Sequence, residues 1–143
     1  MAEYPPISEL VPHSGPMVLL DAMRAWAPGE ATCTMRVREG MPFVKGELFD
    51  AVALMEPMAQ AVAACLGYEA FQGGEGVRVG MIIGCRKFEV DVPAVSVGEE
   101  LVIRVARLRG SDSLSHFECE TWLREGSIAR ATLTLFHTER PPG

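Results

Sequence analysis

The sequence predicts an α+β fold in which one antiparallel sheet of about six strands curls around one long helix, and three observations carry that expectation. Residues Ala51 to Gly67 hold only two polar side chains, Glu56 and Gln60, and are rich in Ala, Met and Leu. That composition favours helix, and a helix so apolar has to be wrapped on most sides. Ala31 to Arg38 alternates strictly, with Ala31, Cys33, Met35 and Val37 against Thr32, Thr34, Arg36 and Arg38, as a half-buried strand demands. After the helix come four more strand-like segments with turn-like separators.

Taken in order, Ile7 to Val11 makes one short helical turn before Pro12, and Met17 to Trp26 reads as a strand. The turn Ala27-Pro28-Gly29-Glu30 folds that strand back as a hairpin onto Ala31 to Arg38. The helix, about 25 Å long at 1.5 Å per residue, begins at Glu56 or kinks there, because Pro57 lacks an N–H and disfavours helical geometry in the preceding residue. Phe71 to Gly76 is a loop, and its Gly73-Gly74-Glu75-Gly76 lacks the Lys-Ser/Thr and the following helix of a phosphate loop. Strands are predicted over Val77 to Val90, Glu100 to Leu108, Leu114 to Arg124 and Ser127 to His137. Their separators are Val95 to Glu99, Arg109 to Ser113 and Glu125-Gly126, the last placed where a tight hairpin needs positive φ. With no repeat, low-complexity stretch or linker, residues 1–143 are expected to form one domain.

Composition narrows the function classes. The net charge of −6 argues against binding to a phosphate backbone, so nucleic acid is not an expected partner. Cys33, Cys65, Cys85 and Cys119 are widely spaced in apolar stretches, which reads as buried free thiols. Met1 to Pro12 lacks the basic start and apolar run of a secretory signal, and the apolar run from Ala51 is broken at Glu56 and Gln60. A cytoplasmic protein without a membrane span is therefore expected.

Glu56 is the odd residue, a carboxylate on a nearly uniformly apolar helix. Burial disfavours a charged carboxylate, which suits a general acid; the alternative is a helix-start carboxylate near the favourable end of the dipole. Gln60, at i+4, shares its face and either orients Glu56, contacts substrate or makes a buried hydrogen bond. Ala63, Ala64 and Gly67 continue that face with small side chains, leaving room for an acyl chain or for a closely packed strand or subunit. Gly80 and Gly84 share a strand face, which marks a close backbone approach or a bulge. His13 is chemically suited to proton transfer at neutral pH. Glu47 offers a second carboxylate that could take a base role, or a solvated loop residue beside Lys45. His116 and His137 lack partners at ligand spacing, so no metal is expected, and no Gly-x-Ser-x-Gly motif is present.

Three stretches resemble the hot-dog fold of FabZ/FabA-type 3-hydroxyacyl-acyl-carrier-protein dehydratases. Ile7 to Asp21, ISELVPHSGPMVLLD, is similar to a Leu-Pro-His-Arg segment followed by an apolar strand ending in Asp. Glu56 to Ala61, EPMAQA, resembles the start of the central helix in that family. Gly98 to Phe136, with Gly-Glu-Glu-Leu and then Ile128-Ala129-Arg130-Ala131, resembles the closing strands. The likeness covers nearly the whole chain and is closer to the ApeP-like subgroup associated with aryl polyene lipid clusters, in which the loop before the helix is short. The chain departs from FabZ at the Gly-His-Phe-Pro motif: the nearest segment is Lys45-Gly46-Glu47-Leu48-Phe49, with Glu47 where the catalytic His would stand.

The resemblance implies dehydration of a 3-hydroxyacyl thioester on acyl carrier protein or coenzyme A, giving a trans-2-enoyl product without cofactor. Glu56 would be the acid; the catalytic His of the family motif is absent and the His of the entry motif is usually structural in that family, so His13 or Glu47 would have to replace it as the base. Backbone N–H groups near Gly46 or at the helix start would polarise the carbonyl. Substrate contacts would come from Gln60, Gly46, Phe49, Ala63 and Gly84. A homodimer or a heterodimer with another hot-dog protein is implied, with sites at the interface. Two alternatives stay open: a hot-dog thioesterase using the helix carboxylate, and a non-catalytic acyl-binding or partner subunit that becomes active on mixing. Arg36, Arg38, Arg86 and Lys87 are the candidates for docking an acidic carrier protein.

Overall fold

The chain, in a computed structural model, is described over residues 4–73, 80–110 and 114–137. Short 3-10 turns at Ile7–Glu9 and Gly15–Met17 lead into β1 (Ala22–Ala27) and β2 (Glu30–Arg36). β3 (Val44–Lys45) and β4 (Leu48–Asp50) follow, then a 3-10 turn at Ala51–Leu54 that runs into α1 (Met55–Gln72). The chain continues through β5 (Gly80–Val90), β6 (Ala94–Ser96), β7 (Glu100–Gly110), β8 (Leu114–Leu123) and β9 (Gly126–His137). β1-β2-β7-β8-β9-β5 form one antiparallel sheet of six strands, as the sequence predicts, and β3-β4-β6 form a small second sheet.

Register shows why the helix is apolar almost all round. Cys33 pairs with Ile103, Ile103 with Thr121 and Thr121 with Ala129, so one row of side chains crosses four strands on the inner face. These residues are buried together with Met58, Ala61, Val62 and Cys65 of α1 in one core. Removing a large apolar side chain from water contributes about 1.5–3 kcal/mol, so the alternation in β2, β7, β8 and β9 fixes which sheet face meets the helix. The far half of α1 is held by polar and aromatic contacts. Trp26 Nε1 donates to the Cys65 carbonyl at 3.1 Å and the Trp26 ring meets Tyr68 edge-on. Glu69 pairs with Arg107 of β7 at 3.1 Å.

Several expectations need correction. The first strand starts at Ala22 instead of Met17, because the backbone of Met17 and Leu19 bonds to the Gln60 side chain of α1, and contact with β2 begins only at the Asp21 N–H, which donates to the Thr34 carbonyl at 2.7 Å. The helix extends past Gly67 to Gln72; its start at Met55 agrees with the expected beginning near Glu56 and leaves Pro57 in the first turn, where N–H groups have no intrahelical partner. β3, β4 and β6 were not anticipated, being two or three residues long and too short to show alternation. In the last hairpin the positive φ falls on Arg124, at 57°, in the two-residue turn Arg124-Glu125, and Gly126 already pairs with Leu123. Pairing in β5 shifts register between Ile82 and Gly84, in keeping with the bulge that is one of the two readings of its glycines. The segment 77–79, the Gly74-Glu75-Gly76 part of the glycine stretch and residues 111–113 lie outside the described residues. Cys33, Cys65 and Cys119 are buried free thiols, but Cys85 is exposed, since it stands on the edge strand. Ala51–Gln72 is, by length and composition, apolar enough to cross a membrane, contrary to the expectation of a broken run; most of it is buried within the protein, as in a core helix.

Candidate active site

The start of α1 and the N-terminal segment build the site together. Asp50 accepts the Val52 N–H at 3.0 Å and caps the 3-10 turn, which feeds without interruption into Met55, so Glu56 falls in the first turn of α1. The N-terminal segment lies along the stripe of α1 that carries Glu56, Gln60 and Gly67. At Gly67 a side-chain carbon would fall inside the Leu10 carbonyl oxygen, so glycine is needed for this approach. The small-residue face is therefore occupied at Gly67 by backbone of the same chain. At Gln60 the buried amide bonds Met17 and Leu19, and at Glu56 the segment delivers His13.

His13 Nε2 stands 3.3 Å from Glu56 Oε1. The two side chains retain 27% and 32% of their surface, so both are reachable from solvent, and the desolvation expected of Glu56 is only partial. Gln60 Nε2 donates to the same Glu56 oxygen at 3.2 Å. His13 Nδ1 is buried and has no hydrogen-bond partner among the described residues. An imidazole and a carboxyl sharing one proton across such a gap can take a proton at one group and give one at the other.

The remaining candidates lie elsewhere. Gly46 and Glu47 form the exposed turn between β3 and β4, Gly46 with φ +62°, and the Glu47 carbonyl accepts the Val97 N–H at 2.8 Å. Glu47 has no ion pair with His13 among the described residues. Phe49 is fully buried and stacks edge-on to Phe43, so it belongs to the core. Ala63 is half-buried against the core, and Gly84 pairs with Thr134 at ordinary contact distance, without the close approach considered for it. His116 bonds Thr134 at 3.0 Å within the sheet, and the described residues contain no cluster fit for a metal. A groove of about 610 Å³ lined by Phe43, Lys45, Leu48, Asp50, Val52, Ala53, Pro93 and Ala94 opens beside the helix start. A second hollow, of about 430 Å³, lies around Trp26, Glu30, Arg104 and Glu118 and contains none of the candidates.

Sequence reasoning missed the backbone of Met17 and Leu19 as part of the site, because main-chain groups leave no residue signature. It also missed Asp50, although an Asp directly before an apolar run is a helix-start signal. Of the basic candidates for docking, Arg36 pairs with Glu100 and Arg38 with Asp21, while Arg86 and Lys87 are exposed on β5 with no ion pair among the described residues.

Among solved structures, the chain is similar to the dehydratase heterocomplex ApeI:P from Xenorhabdus doucetiae, with TM-score 0.90 and 24% identity over 96% of this chain and 94% of that one. It also resembles a sigma28-regulated virulence protein from Campylobacter jejuni, with TM-score 0.72 and 14% identity over 94% and 88% of the two chains. A hypothetical thioesterase with coenzyme A from Streptococcus pneumoniae gives TM-score 0.66 and 12% identity over 84% and 87%. At these identities the likeness is one of fold, and the fold is hot-dog. None of the curated proteins compared matches the sequence significantly. The ApeP dehydratase family model, in contrast, matches residues 5–142, and the chain belongs to the ApeP-like dehydratase family.

Proposed function

We propose that this protein dehydrates a 3-hydroxyacyl thioester, carried on acyl carrier protein, to the trans-2-enoyl thioester in polyene lipid synthesis, with His13 as base and Glu56 as acid. The observation that carries this reading is the 3.3 Å pairing of His13 Nε2 with Glu56 Oε1 in a member of a dehydratase family. It also favours His13 over Glu47, which sits in an exposed turn without an ion pair to His13 among the described residues.

Elimination needs a base at the α-carbon, an acid at the β-hydroxyl and donors at the thioester carbonyl. His13 Nε2 takes the α-proton, the C–H electrons form the new double bond, and the C–O bond breaks as Glu56 gives its proton to the departing hydroxyl, which leaves as water. Imidazolium then faces carboxylate, and return of the proton from Nε2 to Oε1 restores both groups. Backbone N–H groups at the helix start serve the carbonyl oxygen.

We further propose a hot-dog partner subunit, in keeping with the heterocomplex named for the Xenorhabdus doucetiae protein. The acyl chain then runs between the subunits, and the protein works in the cytoplasm. The test is turnover of a 3-hydroxyacyl carrier-protein thioester by wild type and Glu56→Gln, alone and mixed with the partner, following enoyl product and free thiol together. Enoyl product that falls about 10²–10⁴-fold in the variant supports the assignment. Thiol release without enoyl product identifies a thioesterase instead. Product unaffected by Glu56→Gln in the mixture makes this chain a non-catalytic partner.

A further inference from the structure

Gln60 is fully buried one helical turn after Glu56, and its Oε1 accepts the Leu19 backbone N–H at 2.9 Å. A backbone N–H can only donate, so the amide has one allowed orientation, and its NH2 must face the other way. There Nε2 donates to the Met17 carbonyl at 2.6 Å and to Glu56 Oε1 at 3.2 Å. Both N–H groups are used, one on each acceptor, and the Glu56 oxygen so held is the one 3.3 Å from His13 Nε2. His13 and Met17 belong to one segment and Glu56 to the helix, so a single side chain ties the segment that brings the imidazole to the group it must meet.

We propose that Gln60 is the positioning residue of the His13–Glu56 pair: it fixes the rotation of the Glu56 carboxyl and the seat of the N-terminal segment at once. The consequence for turnover rests on the dehydratase reading, whereas the hydrogen-bond coupling does not. A glutamate side chain free to rotate loses the geometry that a misplacement of about 1 Å is enough to spoil, at about 10²-fold in rate.

The experiment is nuclear magnetic resonance on isotope-labelled full-length protein. In wild type the Gln60 side-chain NH2 signals are expected to exchange slowly and to shift with pH in step with the Glu56 carboxyl carbon, and Glu56→Gln is expected to abolish that shift. Gln60 signals indifferent to pH, or unchanged by Glu56→Gln, would overturn the proposal. Gln60→Met, close in length but without donors, is expected to lower kcat about 10–100-fold while KM stays within about threefold. A lower melting temperature with kcat unchanged would mean a merely structural amide. If Gln60→Met does not fold, the wild-type titration still decides. Coupled Gln60 and Glu56 signals in a protein giving no enoyl product would uphold the positioning and remove the dehydratase reading.

Discussion

Glu56 stands in the exposed first turn of a buried helix, and in the proposed role that position separates stability from chemistry. With about a third of its side chain exposed, it contributes little to the core. Glu56→Gln should therefore unfold within about 1 kcal/mol of wild type in urea melts. The same variant should lose the dehydration step, because an amide has no acidic proton to give. Gln60 has the opposite character, fully buried and bonded on both sides of its amide. Its loss acts on structure and geometry together, which is why its test reads titration as well as rate.

At the scale of elements, the contact between α1 and the N-terminal segment assembles the site. Gly67 permits it, because any side chain there meets the Leu10 carbonyl, and backbone yields less readily than the tip of a side chain. Alanine gains about 1 kcal/mol over glycine in helix propensity, yet Gly67→Ala should destabilise the protein by about 1–3 kcal/mol net, the usual cost of overpacking. Urea melts give the stability. Activity should fall as well, since the segment that lifts away carries His13. Equal stability in the variant would show that the segment moves freely on the helix.

For the molecule as a whole, the thiols report the core. Burial pushes the Cys33 and Cys65 thiols from an ordinary 9.0 up to about 12, with the neighbouring Cys65 adding to the shift of Cys33, and burial raises Cys119 as well. A raised folded value means that these groups favour the fold fully below pH 9 and progressively less above it, as the unfolded chain sheds protons that the native one keeps. Urea melts should thus show stability falling between pH 9 and 12, by up to about 1.4 kcal/mol per pH unit for each such thiol. At pH 8 a thiol reagent should label Cys85 alone in the native protein, because Cys85 is exposed while the others are shut beneath the sheet. Rapid labelling of Cys33 or Cys65 under those conditions would contradict the packing of α1.

The sequence by itself determined the α+β class and the order of the main strands, because alternation with period two and an apolar stretch with two polar interruptions are local patterns that survive in one dimension. It also singled out Glu56, since a carboxylate on such a helix has few structural explanations, and placed His13 and Gln60 among the candidates through the family resemblance and the i+4 spacing. Only the tertiary structure decided between His13 and Glu47 as the neighbour of Glu56. That choice depends on a chain reversal that lays residues 10–19 along α1, held by a glycine without a side chain and by backbone N–H and C=O groups of Met17 and Leu19. Contacts made by main-chain atoms are the same for every residue type, so they leave no mark in sequence, and three-dimensional packing alone brings them together.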